Sequence, residues 1–243
     1  MDRRAGQARG RLGAVSARDI VRGPMAVAHT IAVAAALQAT LSFGAAAPVV
    51  DRAHHEIRFA ARVQPDAMSR PFGVQGHHAI VWSGGRARYW ALFVSDASDH
   101  DVRVALDALG ARAGENLSPE SWNAREDPRN TEPDKRVEGT PVDVFVEWKG
   151  SSGRVPMAEL LNESGQSAPQ LDFRYGGNER FQKDFRSGCI VCLYSCPGGA
   201  IGNHAHAIRD YVRDGVVYSS RASRLPRSGT LVTIILKPRL EGR

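Results

Sequence analysis

Cysteine and aromatic side chains are scarce: three Cys and 7% Phe, Trp and Tyr in 243 residues. Three cysteines are too few for a small disulfide-stapled scaffold. The chain has no internal repeat and no low-complexity stretch, so collagen-like, coiled-coil and wholly disordered classes are excluded. A basic stripe is also missing, despite a net charge of +6. Residues 1–47 hold six arginines (Arg3, Arg4, Arg9, Arg11, Arg18, Arg22) against Asp2 and Asp19. Of the 32 basic and 26 acidic side chains, 26 and 24 therefore remain for the rest. A body so close to neutrality has no electrostatic footprint for nucleic acid. No Gly-rich phosphate loop is present: Gly84-Gly85 and Gly198-Gly199 lack the lysine or helix that phosphate cradles need. What is present, 42% hydrophobic and 24% charged residues, has the balance of a folded soluble protein of one or two domains.

The N-terminus reads as an export signal. An Arg-rich lead-in precedes an uncharged run from Met25 to Ala47 that ends in Ala45-Ala46-Ala47. Small residues there suit signal peptidase cleavage after Ala46 or Ala47, with Pro48 favouring Ala46. The long lead-in suggests that translation begins at Met25. A span of this length is enough for a bilayer, so an uncleaved segment would be the chain's membrane anchor. The domain plan expected is an export signal over 1–47 and one domain over 49–243, in a bacterial periplasm or another extracytoplasmic space.

Beyond Val49, strands outnumber helices. Alternation predicts strands over Glu56–Val63 and over Pro141–Trp148, and Thr230–Leu236 reads as a final strand. His78–Trp82 and Tyr89–Val94 read as two strands joined by a Gly turn at Ser83-Gly84-Gly85. Ser98 is placed to cap a helix carrying Val102, Ala105, Leu106 and Leu109 and closed by Gly110. Residues 114–138 read as an exposed polar loop with at most one short helical turn. Met157–Leu161 reads as a short helix, while Phe173–Tyr175 and Gly188–Tyr194 read as strands. Without a regular βαβ series, the expected class is α+β: a single domain with a largely antiparallel sheet and a few short helices.

The stretch from His100 to Gly114, with its Ala105-Leu106, Leu109-Gly110-Ala111 and closing Gly114, resembles a segment of the bacterial YdjY-type domain. As in that family, a Gly139-Thr140-Pro141-Val142 strand and a Lys149-Gly150 turn follow, then the aromatic-Gly-Gly stretch Phe173–Gly177. The resemblance covers about 50–236 and implies an exported single domain. Some members have been grouped as ferredoxin-like on cysteine spacing. These motifs are structural, so the resemblance implies no particular activity.

All three cysteines fall within eight residues, as Cys189-x2-Cys192-x3-Cys196-Pro197, with His204 and His206 shortly after. Sulfur ligands must converge within a few ångströms, and a Pro- and Gly-rich loop lets backbone turn around a metal. The spacing equals the last three positions of the bacterial ferredoxin run, but Arg186 stands at its first position. An iron–sulfur cluster would need His204 or an open iron site, and threading an unfolded chain through export removes a preassembled cluster. Thiolates also select copper(I) and zinc, and Cys3His is a closed tetrahedral set for zinc. Cys192-x3-Cys196-Pro197 with a later histidine is similar to the Cys-x3-Cys-Pro of Sco-type copper chaperones, which carry it early in a thioredoxin-like domain. The third reading is a disulfide or buried thiols, since Ile190, Val191, Leu193 and Tyr194 make the segment strand-like. On a regular strand Cys189 and Cys192 would face opposite sides, so a shared ligand requires a bend there.

His77-His78 precedes an apolar strand, and one imidazole would complete the cysteine set. Neighbouring residues on a strand face opposite ways, which favours an exposed pair instead. His54-His55 carries the same ambiguity, and Asp210 and Tyr211 form no recognisable triad with His204 or His206. Trp82, Trp90, Trp122 and Trp148 read as core packing. Two function classes stay open. One is an exported metal-binding or redox accessory protein serving a respiratory or metal-handling partner. Its ligands would be Cys189, Cys192 and Cys196, with His204 or His206 as fourth. The other is a non-enzymatic binding module held by a disulfide. An enzyme with a cysteine nucleophile ranks third.

Overall fold

The computed structural model describes residues 47–68, 76–164, 166–167, 169, 171–213 and 216–240. The segment 1–47 expected to be an export signal lies, save Ala47, outside the described residues. In chain order the elements are β1 (Val49–Asp51), β2 (Glu56–Val63), β3 (His78–Trp82), β4 (Ala91–Ser95) and α1 (Asp99–Ala108). Next come α2 (Pro119–Asn123), β5 (Val142–Glu147), β6 (Val155–Pro156), β7 (Leu161–Glu163), β8 (Gln166–Ser167) and β9 (Phe173–Tyr175). The last are α3 (Glu179–Phe185), β10 (Cys189–Cys192), β11 (Gly199–Asn203), α4 (Ile208–Val212), β12 (Tyr218–Ser220) and β13 (Leu231–Pro238). The class is α+β, as expected.

One mixed sheet runs in the order β6-β5-β13-β2-β4-β3-β10-β11-β9, with β1 added beside β2, and β12-β7-β8 form a small second sheet. At its centre, β13 pairs antiparallel with β2 and β5, for instance Ile234 opposite Phe59 and Val146. Alternation along β2 and β5, together with Ile234 and Leu236 of β13, puts Ile57, Phe59, Ala61, Val63, Val144, Val146, Ile234 and Leu236 into one apolar cluster. Helix α1 covers that cluster with Val102, Ala105, Leu106 and Leu109. The Ser98 hydroxyl caps it by accepting from the Asp101 amide at 3.0 Å, and Gly110 closes it at φ +88°. Truncating Leu106 to Ala would cost about 2–5 kcal/mol in such a setting.

Two pairings depart from the expected pattern. β3 and β4 are parallel, not a hairpin, with His78 opposite Ala91 and Ile80 opposite Phe93. The Gly84-Gly85 turn leads into a 3-10 segment, Arg86–Trp90, that carries the chain back to the start of the next strand. β10 and β11 are likewise parallel, with Cys189 opposite Gly199. Parallel neighbours ordinarily need a crossover of a dozen or more residues. Here the six residues from Leu193 to Gly198 suffice, because the strands are short and Pro197-Gly198 turns tightly. The polar segment 114–138 is also more ordered than a solvated loop. It holds α2 and a 3-10 turn at Glu132–Asp134, and buried Arg209 reaches into it.

Three separated glycine motifs meet at one knot. The Gly114 amide donates to the Tyr175 carbonyl at 3.0 Å, the Tyr175 amide to Thr140 O at 2.9 Å, and the Thr140 amide to Arg112 O at 2.9 Å. A Cβ on Gly114 would lie 2.1 Å from Glu138 O, and one on Gly139 (φ +118°) 2.0 Å from Tyr175 O. Only glycine lets these backbones touch.

Candidate metal centre

Strand β10 is bulged. Its pairing with β3 shifts register between Cys189 and Val191 and again between Val191 and Cys192. Ile190 and Val191 consequently both pack into the large cluster, whereas Cys189 and Cys192 both pack into a smaller one with Val81, Ala91 and Ile208. A bulge gives one strand two residues where its partner has one. This is the bend that a shared site requires. Cys196 joins the same small cluster through the turn that follows, where the Cys196 amide donates to Tyr194 O at 2.8 Å and the Gly199 amide to Cys196 O at 3.2 Å. The Ser187 hydroxyl ties that turn down by donating to Gly198 O at 2.7 Å.

Across the ladder, His78 stands opposite Cys192. Its Nδ1 lies 3.3 Å from Cys189 Sγ. The adjacent His77 is fixed through its carbonyl, which accepts from the Leu193 amide at 2.8 Å, and its ring lies against Tyr211 with centroids 4.6 Å apart. The two histidine rings are 3.9 Å apart and tilted by 40°. Both are buried, so the exposed-pair expectation does not hold. One donor atom each of His77, His78 and Cys192 lies within 4.8 Å of the others. Ligands of one zinc or copper(I) ion are roughly 3.3–3.8 Å apart, given bonds of about 2.0–2.3 Å, so a small inward movement would complete such a set.

Burial disfavours charge on the three thiols and on His78. Burial pushes the Cys189 thiol up, and burial pushes Cys192 well above the ordinary thiol range. Cys196 is raised first by its hydrogen bond with Cys192 and then by burial. Cys192 thus sits between two thiols and interacts with both. His78 is held well below the usual imidazole value by burial and then by His77. Neutral imidazole has a free lone pair for a metal, while the thiols would have to release protons to a cation.

The two downstream histidines stay away from this group. They lie on a turn after β11, not on one strand face. Nδ1 of His204 lies 2.8 Å from Val137 O, and Nε2 of His206 lies 3.0 Å from Glu163 Oε1. Among the described residues, the compact donor group contains neither of them. His54 also points elsewhere, its Nδ1 2.8 Å from Asp51 Oδ2. Asp210 caps α4 by accepting from the Ala207 amide at 2.8 Å.

The group is approached through a pocket of about 500 Å³ whose floor includes His77, His78 and Cys196. Trp90 and Trp122 stand in its walls, although their sequence context suggests core packing. Trp122 is placed by α2, packs edge-on against Phe185 at 5.5 Å, and carries the Arg125 guanidinium on its other flank at 4.3 Å. Arg209 of α4 holds the segment that follows. Its Nε donates to Asp134 Oδ1 at 2.6 Å and its Nη1 to Asp127 O at 2.9 Å, and Nη2 donates to Asn130 O. The hydroxyl of buried Ser195 accepts from the Val137 amide at 2.9 Å and donates to Asn203 O at 3.0 Å. The whole candidate centre is therefore built on a bulged strand and braced by the polar segment.

No solved structure matches the chain. It is 29% identical over 161 residues to a protein of Escherichia coli (strain K12) named "Uncharacterized protein YdjY", an alignment covering 66% of each chain. The YdjY domain pattern itself matches residues 49–237, a span that takes in the glycine knot, the bulged strand and the polar brace alike. The chain belongs to the YdjY domain family.

Proposed function

We propose that this is an exported accessory protein that binds a thiophilic cation, zinc or copper(I), through Cys192, His77 and His78, with Cys189 and Cys196 as the adjoining sulfurs. One observation carries the reading: three buried donors of the right chemistry converge within 4.8 Å where two short strands and a turn meet. A thiol and two imidazoles form a borderline-soft set that suits either ion better than hard cations. A bound cation would replace thiol protons with positive charge, so the buried site would stay near neutrality. Relative to the sequence-based expectation, the fourth-ligand role passes from His204 and His206 to His77 and His78. The Arg-rich, Ala-ending N-terminal segment supports export, and a metal-handling or respiratory partner is the class of protein it would serve.

The test is metal analysis with a thiol count on the full chain, exported natively and purified without reductant or chelator. We expect about one zinc or copper per chain, lost in Cys192→Ser and in His78→Gln but retained in His206→Gln. Full metal content in Cys192→Ser would sink the proposal.

A second reading has one observation in its favour: Cys192 interacts with both neighbouring thiols, so oxidation would pair it with either. The protein would then be a disulfide-held binding module. A single free thiol and no metal in the same preparation would select it.

A further inference from the structure

The pocket above the histidines and Cys196 has properties that a metal site alone does not need. At about 500 Å³ it falls within the range of small-molecule sites. An empty cavity of about 150 Å³ holds benzene, so this one has room for two or three fused rings. Its walls are apolar and flat-sided: Trp90, Trp122, Phe185 and Ala87. They are also prebuilt, because Phe185 is stacked on Phe181 at 5.2 Å and edge-on to Trp122. The two charged side chains that line it, Arg86 and Asp184, are both exposed and opposite in sign, so they offer an anion no net attraction. The polar floor consists of the His77 and His78 imidazoles and the Cys196 thiol, which offer hydrogen-bonding atoms at the base of the apolar walls.

We infer that this pocket binds an uncharged aromatic molecule carrying one hydrogen-bonding oxygen, its rings between Trp90, Trp122 and Phe185 and its oxygen toward His77, His78 and Cys196. The inference goes beyond the metal proposal but shares His77, His78 and Cys196 with it, so it is made for the chain whose imidazoles hold no cation. An aromatic ligand gains edge and face contacts with the walls, while an ionised one would lose hydration against apolar walls whose two exposed charges, Arg86 and Asp184, offset each other.

The test uses the full chain stripped of metal and kept reduced, so that failure here and failure of the metal proposal are separate results. 2-Naphthol is titrated by calorimetry, with naphthalene-2-sulfonate as the charged counterpart of equal ring size. Saturable one-to-one binding of 2-naphthol is expected, with a dissociation constant of about 100 μM or tighter. The sulfonate should bind at least roughly tenfold more weakly. Trp122→Ala should weaken 2-naphthol roughly tenfold. Trp90→Ala should act in the same direction, and because Trp90 is partly exposed it decides the matter if the Trp122 variant fails to fold. No saturable binding, equal binding of the sulfonate, or unchanged affinity in the folded tryptophan variants would each overturn the inference.

Discussion

Nδ1 of His78 lies 3.3 Å from Sγ of Cys189, although 111 residues separate them in the chain. The contact exists because β3 and β10 are neighbours in the sheet and because a bulge turns both strand cysteines toward the same side. It unites the two halves of the candidate centre, the histidine pair and the cysteine cluster. Several measurable consequences rest on this arrangement and on the elements that brace it.

Thiol reactivity should be graded by position. All three thiols are pushed up, and the thiolate is the nucleophile, so each extra pKa unit removes nearly tenfold of the reactive form. Cys196 lines the pocket, whereas Cys189 and Cys192 are sealed behind it. With iodoacetamide at pH 8 on metal-free native protein, peptide mass spectrometry should find Cys196 modified first. Every site should react more slowly than in urea. Cys189 or Cys192 labelling as fast as Cys196 would contradict the geometry.

Arg209→Ala should release the polar segment. The guanidinium is 2% exposed and supplies donors to Asp134, Asp127 and Asn130 at once. Its loss removes all three donors at once, leaving Asp127 O only the Asn130 amide at 3.3 Å, and should cost about 2–3 kcal/mol in urea unfolding. Arg209→Lys keeps the charge but not the fork, so it should recover only part of that stability. Amide exchange should accelerate across residues 125–134 in both variants, and unchanged exchange would show that the segment is held by something else.

Glu56 supplies a pH-dependent share of stability. Burial raises its carboxyl, but hydrogen bonds from Arg154 at 2.7 and 3.0 Å and from Arg58 at 3.1 Å outweigh that, and its pKa is lowered. A carboxylate with a depressed folded-state pKa stabilises above its ordinary value and loses that contribution as pH falls through the folded one. Glu56→Gln should therefore cost about 1–2 kcal/mol at pH 7, discounted because both arginines are partly solvated. The gap to the wild type should close as pH drops below about 4. A gap that widened on acidification would reverse the assignment.

Two glycines with similar backbone angles should behave differently. Gly139 has φ +118° and backbone pressed against it, while Gly150 has φ +99° and open space. Gly150→Ala should cost about 1 kcal/mol from backbone strain alone. Gly139→Ala should cost about 3 kcal/mol or more, because the knot with Tyr175 and Gly114 must open. Thermal unfolding of both variants distinguishes these outcomes.

The elements that follow a simple period are legible in the sequence. Alternation marks β2 and β5, and the Ser98 cap with Gly110 brackets α1, because burial on one face leaves a regular imprint. The parallel pairings are not legible. Ser83-Gly84-Gly85 reads only as a Gly turn between two strands, since a short link between parallel strands has no periodic signature. The candidate centre is half legible: the cysteine spacing stands out, and His77-His78 offers donors, but the facing rule for regular strands argues against a shared site. A bulge suspends that rule without announcing itself in residue type. His204 and His206 are attractive by proximity in sequence, yet β11 carries the chain past the site before they occur. Trp90 and Trp122 read as core because composition alone does not distinguish a packed wall from an open one.

The bulge in β10 also bears on how the cysteine spacing can vary among relatives. On a straight strand, residues two apart share a side; on this one, residues three apart do. A relative that has lost one residue between its two strand cysteines could keep both thiols on the same side by straightening the strand. A relative that has gained one would need a second irregularity. Length changes here should therefore run toward deletion, and where the bulge is gone the histidine opposite should shift by one register step with it.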